Sequence, residues 1–205
     1  MTEHLTKRQA QKLRTRELIE DTALSVFASK GFAAARAADI AEAAGVSHGT
    51  VFLHFPTMEE LTAAVIERFG KRVSLRLHEL ARDGVGLRGV LEAHIKGLCE
   101  YEAFYTRLIT ERTLLPESAK TAFLIIQSSI SLHISQAAQR EMREGLIKEM
   151  PMHLLFNTWM GLVHYYLENS ELFAPEGNVL GRYGETLIGF YLKMIGGCGK
   201  EDELE

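Results

Sequence analysis

Proline constrains this chain most, because it occurs at only four places: Pro56, Pro116, Pro151 and Pro175. Between them the apolar residues recur mostly at spacings of three and four, the period of a helix with one buried face. From Glu117 to Glu144 neither glycine nor proline interrupts the chain. That run is far too long for a strand, so its one β-rich string, Phe123-Leu124-Ile125-Ile126, reads as helix. The expected class is all-α.

The spacing predicts a first helix over 6–30, with Ile19, Ala23, Val26 and Phe27 inward and Gly31 as a left-handed cap. A short helix over 37–44 buries Ile40 and Ala41 and ends at Gly45. After the turn Gly45-Val46-Ser47, Ser47 is a good N-cap for a third helix over 48–55, which Pro56 closes. Thr57 and Glu60 spell a capping box that opens a long fourth helix reaching about residue 82. Residues 83–89 form a glycine-rich break. Further helices are expected over 90–101, 104–114, 117–144, 152–169 and 179–195, with the acidic end from Lys200 to Glu205 frayed.

Composition excludes several classes. With 46% hydrophobic and 24% charged residues the chain can bury a core without metals or disulfides. Cys99 and Cys198 are the only cysteines, in no zinc-ligand spacing, and are expected as reduced thiols. The polar, basic start lacks a signal-peptide core, and the most apolar stretches, 122–132 and 154–167, are too short for a bilayer, so a cytoplasmic protein is expected. The string Gly84-Val85-Gly86-Leu87-Arg88-Gly89 matches a dinucleotide-binding fingerprint but follows a helix instead of a strand, and reads as a joint. No histidine has a glutamate three positions before it and no HExxH occurs, so no metal and no cofactor are expected. No nucleophile elbow is present, and an enzyme is not expected.

The formal net charge of -4 is unevenly spread: residues 1–36 hold seven basic and four acidic side chains, +3, which leaves -7 for the rest. A basic leading arm on an acidic body steers one end toward phosphate, or is simply a solvated tail.

The segment from Asp39 to Phe52 has the grammar of a helix-turn-helix, with Ile40, Ala41, Val46 and Val51 forming a small core between two helices. His48, Gly49, Thr50, Phe52, Leu53 and His54 are then left on the outer face and N-terminal end of the third helix, where free amides and the helix dipole favour phosphate. An ordinary helical hairpin is the other reading of these residues alone. The order Arg16-x-x-Ile19, Ala23, Phe27, Gly31-Phe32, Asp39-Ile40-Ala41, Ala44-Gly45-Val46-Ser47, Gly49-Thr50-Val51-Phe52, His54-Phe55, Glu59-Glu60-Leu61 resembles the TetR family of bacterial repressors. The resemblance is strong over 10–62. It continues loosely into Met160-Gly161-Leu162-Val163-His164 and Gly184-Glu185-Thr186-Leu187.

What the resemblance implies is a DNA-binding domain over 1–56 and an effector-binding and dimerisation domain over 57–205. DNA contacts are expected from Ser47, from His48, Gly49, Thr50, Phe52 and Leu53 at bases or sugar, from His54 at phosphate, and from Lys7, Lys12, Arg14 and Arg36 at the backbone. The chain departs from the family's pattern at Ala35-Arg36, Ala38, Phe52 and Met58, where hydroxyl and charged groups are usual. The arm Lys7, Arg8, Lys12 and Arg14 is expected to supply more of the phosphate binding in compensation. Tyr105, Phe123, Gln127, Ile130, His133 and Trp159 are the candidate lining of an effector pocket for an apolar or amphipathic molecule. The last two helices are apolar around most of their circumference and are expected to pair with those of a second chain, with Gly181, Gly184 and Gly189 allowing close approach. The expected function is a palindrome-reading repressor released by a small effector, with the fourth helix as lever. A regulator that needs no small molecule, or a helical enzyme, are the alternatives.

Overall fold

The computed structural model describes residues 6–80 and 85–196. The chain forms ten α-helices among these: α1 Lys7–Lys30, α2 Ala37–Ala44, α3 His48–His54, α4 Met58–Leu80, α5 Leu87–Cys99, α6 Glu102–Thr110, α7 Glu117–Arg143, α8 Met152–Glu168, α9 Ser170–Phe173 and α10 Val179–Ile195. A 3-10 turn, Arg112–Leu114, follows α6. One isolated bridge between Ile147 and Gly196 is the only β pairing among the described residues. The all-α expectation is thus met.

The helices gather into two compact units. The first holds the described residues up to Gly70 together with Ala103–Leu124; the second holds Lys71–Glu102 and the described residues from Ile125 onward. The first unit runs past the boundary after residue 56 read from sequence, taking in α4 as far as Gly70 and the stretch Ala103–Leu124.

In the first unit α1 packs on α2 and α2 on α3. Ile19, Ala23, Phe27, Ile40, Ala41, Val51 and Phe55 are buried at this junction. A run of rings extends that core: Phe27 stacks on Phe32 at 4.7 Å, Phe32 meets Phe104 at 5.5 Å, and Phe69 lies 5.1 Å from Phe104 and 5.7 Å from Tyr105. Arg68 on α4 closes the unit with a two-pronged bond to Asp21, at 2.7 and 2.9 Å, and a third to Glu20 at 3.2 Å. Its own proton is held more tightly by the Asp21 carboxylate in particular.

In the second unit α10 packs against α5 and α8. Trp159 and Tyr191 are fully buried with ring centroids 5.3 Å apart, and the Tyr191 hydroxyl donates to the Leu155 carbonyl at 2.6 Å. Burial raises the Tyr191 hydroxyl pKa beyond the ordinary phenol range.

Several expected boundaries move. The glycine-rich break is shorter than read, because α5 begins at Leu87, where Glu141 Oε1 accepts the Leu87 N–H at 2.6 Å. Asp83 and Gly84 of that break, and the acidic end with Cys198, lie outside the described residues. The helix expected over 104–114 splits, its last part tightening into the 3-10 turn. The short α9 has no counterpart among the expected helices. Gly31 has a positive φ of 81° but an extended ψ of 167°, a conformation open essentially to glycine alone, instead of the left-handed helical one expected. Among the expected small-residue contacts, Gly184 faces α5, where a β-carbon would lie 2.7 Å from Ile95 Cγ2. Gly181 sits under the Asn178 amide, and only Gly189 opens onto space.

Candidate nucleic-acid interface

The α2–α3 pair is built by short-range bonds. Asp39 Oδ2 accepts the Arg36 backbone N–H at 2.9 Å and starts α2, while Oδ1 takes Lys30 Nζ at 2.7 Å and ties that start to the end of α1. These contacts, Lys30 first and Arg36 second, hold the Asp39 carboxyl below its usual range. Gly45 ends α2 in the left-handed conformation, φ 65° and ψ 30°, which a residue with a β-carbon adopts only under strain. Ser47 Oγ then accepts the Thr50 N–H at 3.1 Å and starts α3, as expected of an N-cap.

The far end of α3 is fastened to α1. Arg16 Nη1 donates to the His54 carbonyl at 3.1 Å, its Nε donates to Glu20 at 3.1 Å, and its guanidinium lies 4.2 Å over the Phe55 ring. With both ends held and Val51 buried, α3 has a fixed roll. His48, Gly49 and Leu53 are left exposed, Thr50 and Phe52 half-buried, and Leu53 is 74% accessible. His48 leans edge-on to Phe52 at 4.8 Å. Ser47, Lys7, Lys12, Arg14 and Arg36 are exposed too.

His54 departs from the outward face read for it. It is only 8% exposed and its Nδ1 is buried with no partner among the described residues. The reason is register: residue 54 follows the buried Val51 by three positions and so shares its inward side, where Arg16 takes its carbonyl. Burial first, then the charges of Lys12 and Arg16, lowers the imidazole pKa from 6.5, so the ring is neutral at physiological pH.

Glu111, just past α6, is a site residue that sequence reading missed. Its Oε2 accepts the Ala33 N–H at 2.9 Å, and a β-carbon on Gly31 would overlap its carboxylate. The carboxylate therefore holds the turn between α1 and α2, and glycine at 31 makes room for it. The partners stand 78 positions apart. No local motif announces them.

The six residues read as pocket lining are divided between the two units. Tyr105 and Phe123 belong to the first unit, where their rings lie 6.4 Å apart in the core. Gln127, Ile130, His133 and Trp159 belong to the second, with Ile130 and Trp159 buried and Gln127 and His133 half-buried. Two open grooves run along the surface, one of about 510 Å³ beside Gln139, Met142, Arg143, Glu149 and Met150 and one of about 500 Å³ beside Asp21, Thr22, Ser25, Val26, Ser29 and Ala43. None of the six residues lines either. Among the described residues no His, Cys, Asp and Glu group could hold a metal, and no helix is long and apolar enough to cross a membrane.

Two short helices with a glycine turn, both ends of the second pinned and its outer face bare, define a helix-turn-helix head. Residues 19–65 match the family described as bacterial regulatory proteins, tetR family. A curated relative, the HTH-type transcriptional repressor Rv3405c of Mycobacterium tuberculosis, is 40% identical over 63 residues, which are 31% of this chain and 34% of the relative. The chain thus spans about a third of the length of that relative. Solved structures share the fold more widely. A TetR-family regulator from Agrobacterium tumefaciens superposes with a TM-score of 0.75 at 18% identity, covering 90% of this chain and 99% of that one. FadR from Bacillus subtilis, solved in complex with stearoyl-CoA, gives 0.71 at 17% identity over 87% and 98%.

Proposed function

We propose that the chain is a cytoplasmic, non-enzymatic transcriptional repressor that reads a roughly palindromic operator as a homodimer and leaves it when a small apolar or amphipathic effector binds. The observation that carries this reading is α3, pinned at Ser47 and Arg16 with His48, Gly49, Thr50, Phe52 and Leu53 facing out. Side chains on such a face meet base edges in a major groove, while the exposed Lys7, Lys12, Arg14 and Arg36 take backbone phosphates. His54, being buried, acts through its place between α1 and α3.

Pairing through α8 and α10 is supported by their exposed apolar side chains. Leu154 and Tyr165 on α8 and Phe190 and Met194 on α10 are each at least 43% accessible. Apolar residues left bare on two helices that already pack together suit a four-helix bundle with a second copy. Effector release is supported by likeness: the FadR neighbour was solved with an acyl-CoA bound.

The test is selection of duplexes from a random pool by the full chain, followed by retardation of the winner at several salt concentrations. A symmetric site, with base preference relaxed by Thr50→Ala and Leu53→Ala, is expected. Deleting residues 1–12 should flatten the salt dependence, by roughly one unit of slope for each phosphate that the arm no longer neutralises. A chain that enriches no sequence, or an unchanged slope without the arm, defeats the respective part of the reading.

A further inference from the structure

The interior of the second unit holds a hydrogen-bond donor that no acceptor among the described residues meets. His94 on α5 is fully buried, and the Trp159 indole N–H donates to its Nδ1 at 3.1 Å. An indole nitrogen can only donate, so Nδ1 is the accepting nitrogen and bears no proton. Burial, with His164 nearby, lowers the His94 pKa to about 3, so the ring is neutral in the physiological range. A neutral imidazole has one N–H, which must then be on Nε2. That atom is buried and without a partner among the described residues.

The surroundings narrow what could meet it. The Trp159 ring lies 6.2 Å from the His94 ring, Tyr191 stands behind Trp159, and the Tyr191 hydroxyl is already committed to the Leu155 carbonyl. His164, one of the half-buried residues of α8, is the titratable neighbour. A purely structural core would do better with an apolar ring at 94 and at 159, since an unmet donor in such a shell is costly. A carboxylate entering here would lose its water to face a neutral His94 ring, with His164 the titratable group nearby, whereas a carbonyl oxygen loses far less and accepts the same bond.

We propose that the Nε2–H of His94 is the polar anchor of a small-molecule site inside the second unit, taking an uncharged, mostly apolar compound with a carbonyl oxygen, such as a ketone or lactone. The inference rests on the effector-released reading for its biological meaning and gives that effector a chemical class. Trp159 is its built-in reporter. An oxygen on Nε2 polarises the ring, strengthens Nδ1 as acceptor and tightens the indole bond.

The experiment titrates the full chain with 2-octanone and γ-octalactone against octanoate and octane, following Trp159 emission and nitrogen spectra of the histidine rings. The Trp signal is unambiguous because the sequence has a single tryptophan. Expected are an Nε2–H tautomer in the free chain, saturable emission changes with the two neutral carbonyl probes, and a shift of the Nε2 proton on binding. His94→Phe should weaken binding at least tenfold, while His94→Gln, whose amide can accept from Trp159 and still donate, should keep most of it. If the Phe variant fails to fold, the tautomer and the ligand-induced shift in the unaltered chain decide. An Nδ1–H tautomer, equal or tighter binding of octanoate, saturation by neither carbonyl probe, or a water bound at Nε2 throughout the titration each overturns the proposal. The retardation assay separates the two readings: carbonyl binding without operator release keeps this site and removes the release mechanism, and operator binding without carbonyl binding does the reverse.

Discussion

The helices of the head and those of the second unit are started in different ways. In the head, α2 and α3 begin on their own neighbours: Asp39 serves Arg36 and Ser47 serves Thr50, each three positions away. In the second unit, α5 begins on Glu141, 54 positions distant, and α10 begins on both oxygens of Glu102, which accept the Val179 and Leu180 N–H groups at 2.7 and 2.8 Å. Local caps let a short helix form with its own sequence as instruction. Distant caps make a helix start depend on the packed unit, so those starts are lost together when the packing loosens.

That contrast is open to measurement. The largest effect is expected from Glu102→Ala, which removes two charge-assisted bonds at the start of α10 and should cost about 2–3 kcal/mol in denaturant unfolding. A cost below that of Ser47→Ala would refute the ranking. Next is acid. His94 has a folded pKa below its unfolded value of 6.5, so below pH 6.5 the unfolded chain binds the proton first and stability falls as pH drops toward about 3. At pH 5 the loss relative to pH 7 should be about 2 kcal/mol, and His94→Gln should abolish that part of the slope. Ser47→Ala should cost about 1 kcal/mol and reduce hydrogen-exchange protection in α3 before it affects the second unit. The smallest effect belongs to the exposed Lys30–Asp39 pair. Lys30→Met should leave the unfolding midpoint nearly unchanged while the Asp39 carboxyl titrates at higher pH by NMR; a fixed Asp39 titration would mean that Lys30 does not set it.

The same contrast explains what could be read in the sequence. The bounds of α2 coincide with expectation and α3 ends one residue early, because cap, turn glycine and apolar pair are all adjacent in the chain. α10 also starts where expected, since Asn178 gives it a local cap in addition to Glu102. α5 starts three residues earlier than its apolar period suggested, because Glu141 is invisible from Leu87. The outward face of α3 was legible except at His54, which follows the buried Val51 by three positions and shares its inward side. The Glu111 contact and the His94–Trp159 bond were illegible because each joins residues whose spacing carries no period.

Leu53, bare at the tip of the head, has a consequence for what an operator can tell this protein. Leucine offers no donor or acceptor, so on the proposed docking the only feature of a base edge it can greet is a methyl group. A methyl on thymine and one placed enzymatically on cytosine C5 occupy the same position in the groove, and an aliphatic side chain treats them alike. On that docking a marked and an unmarked duplex offer Leu53 different contacts, and paired retardation of the two reads the difference out.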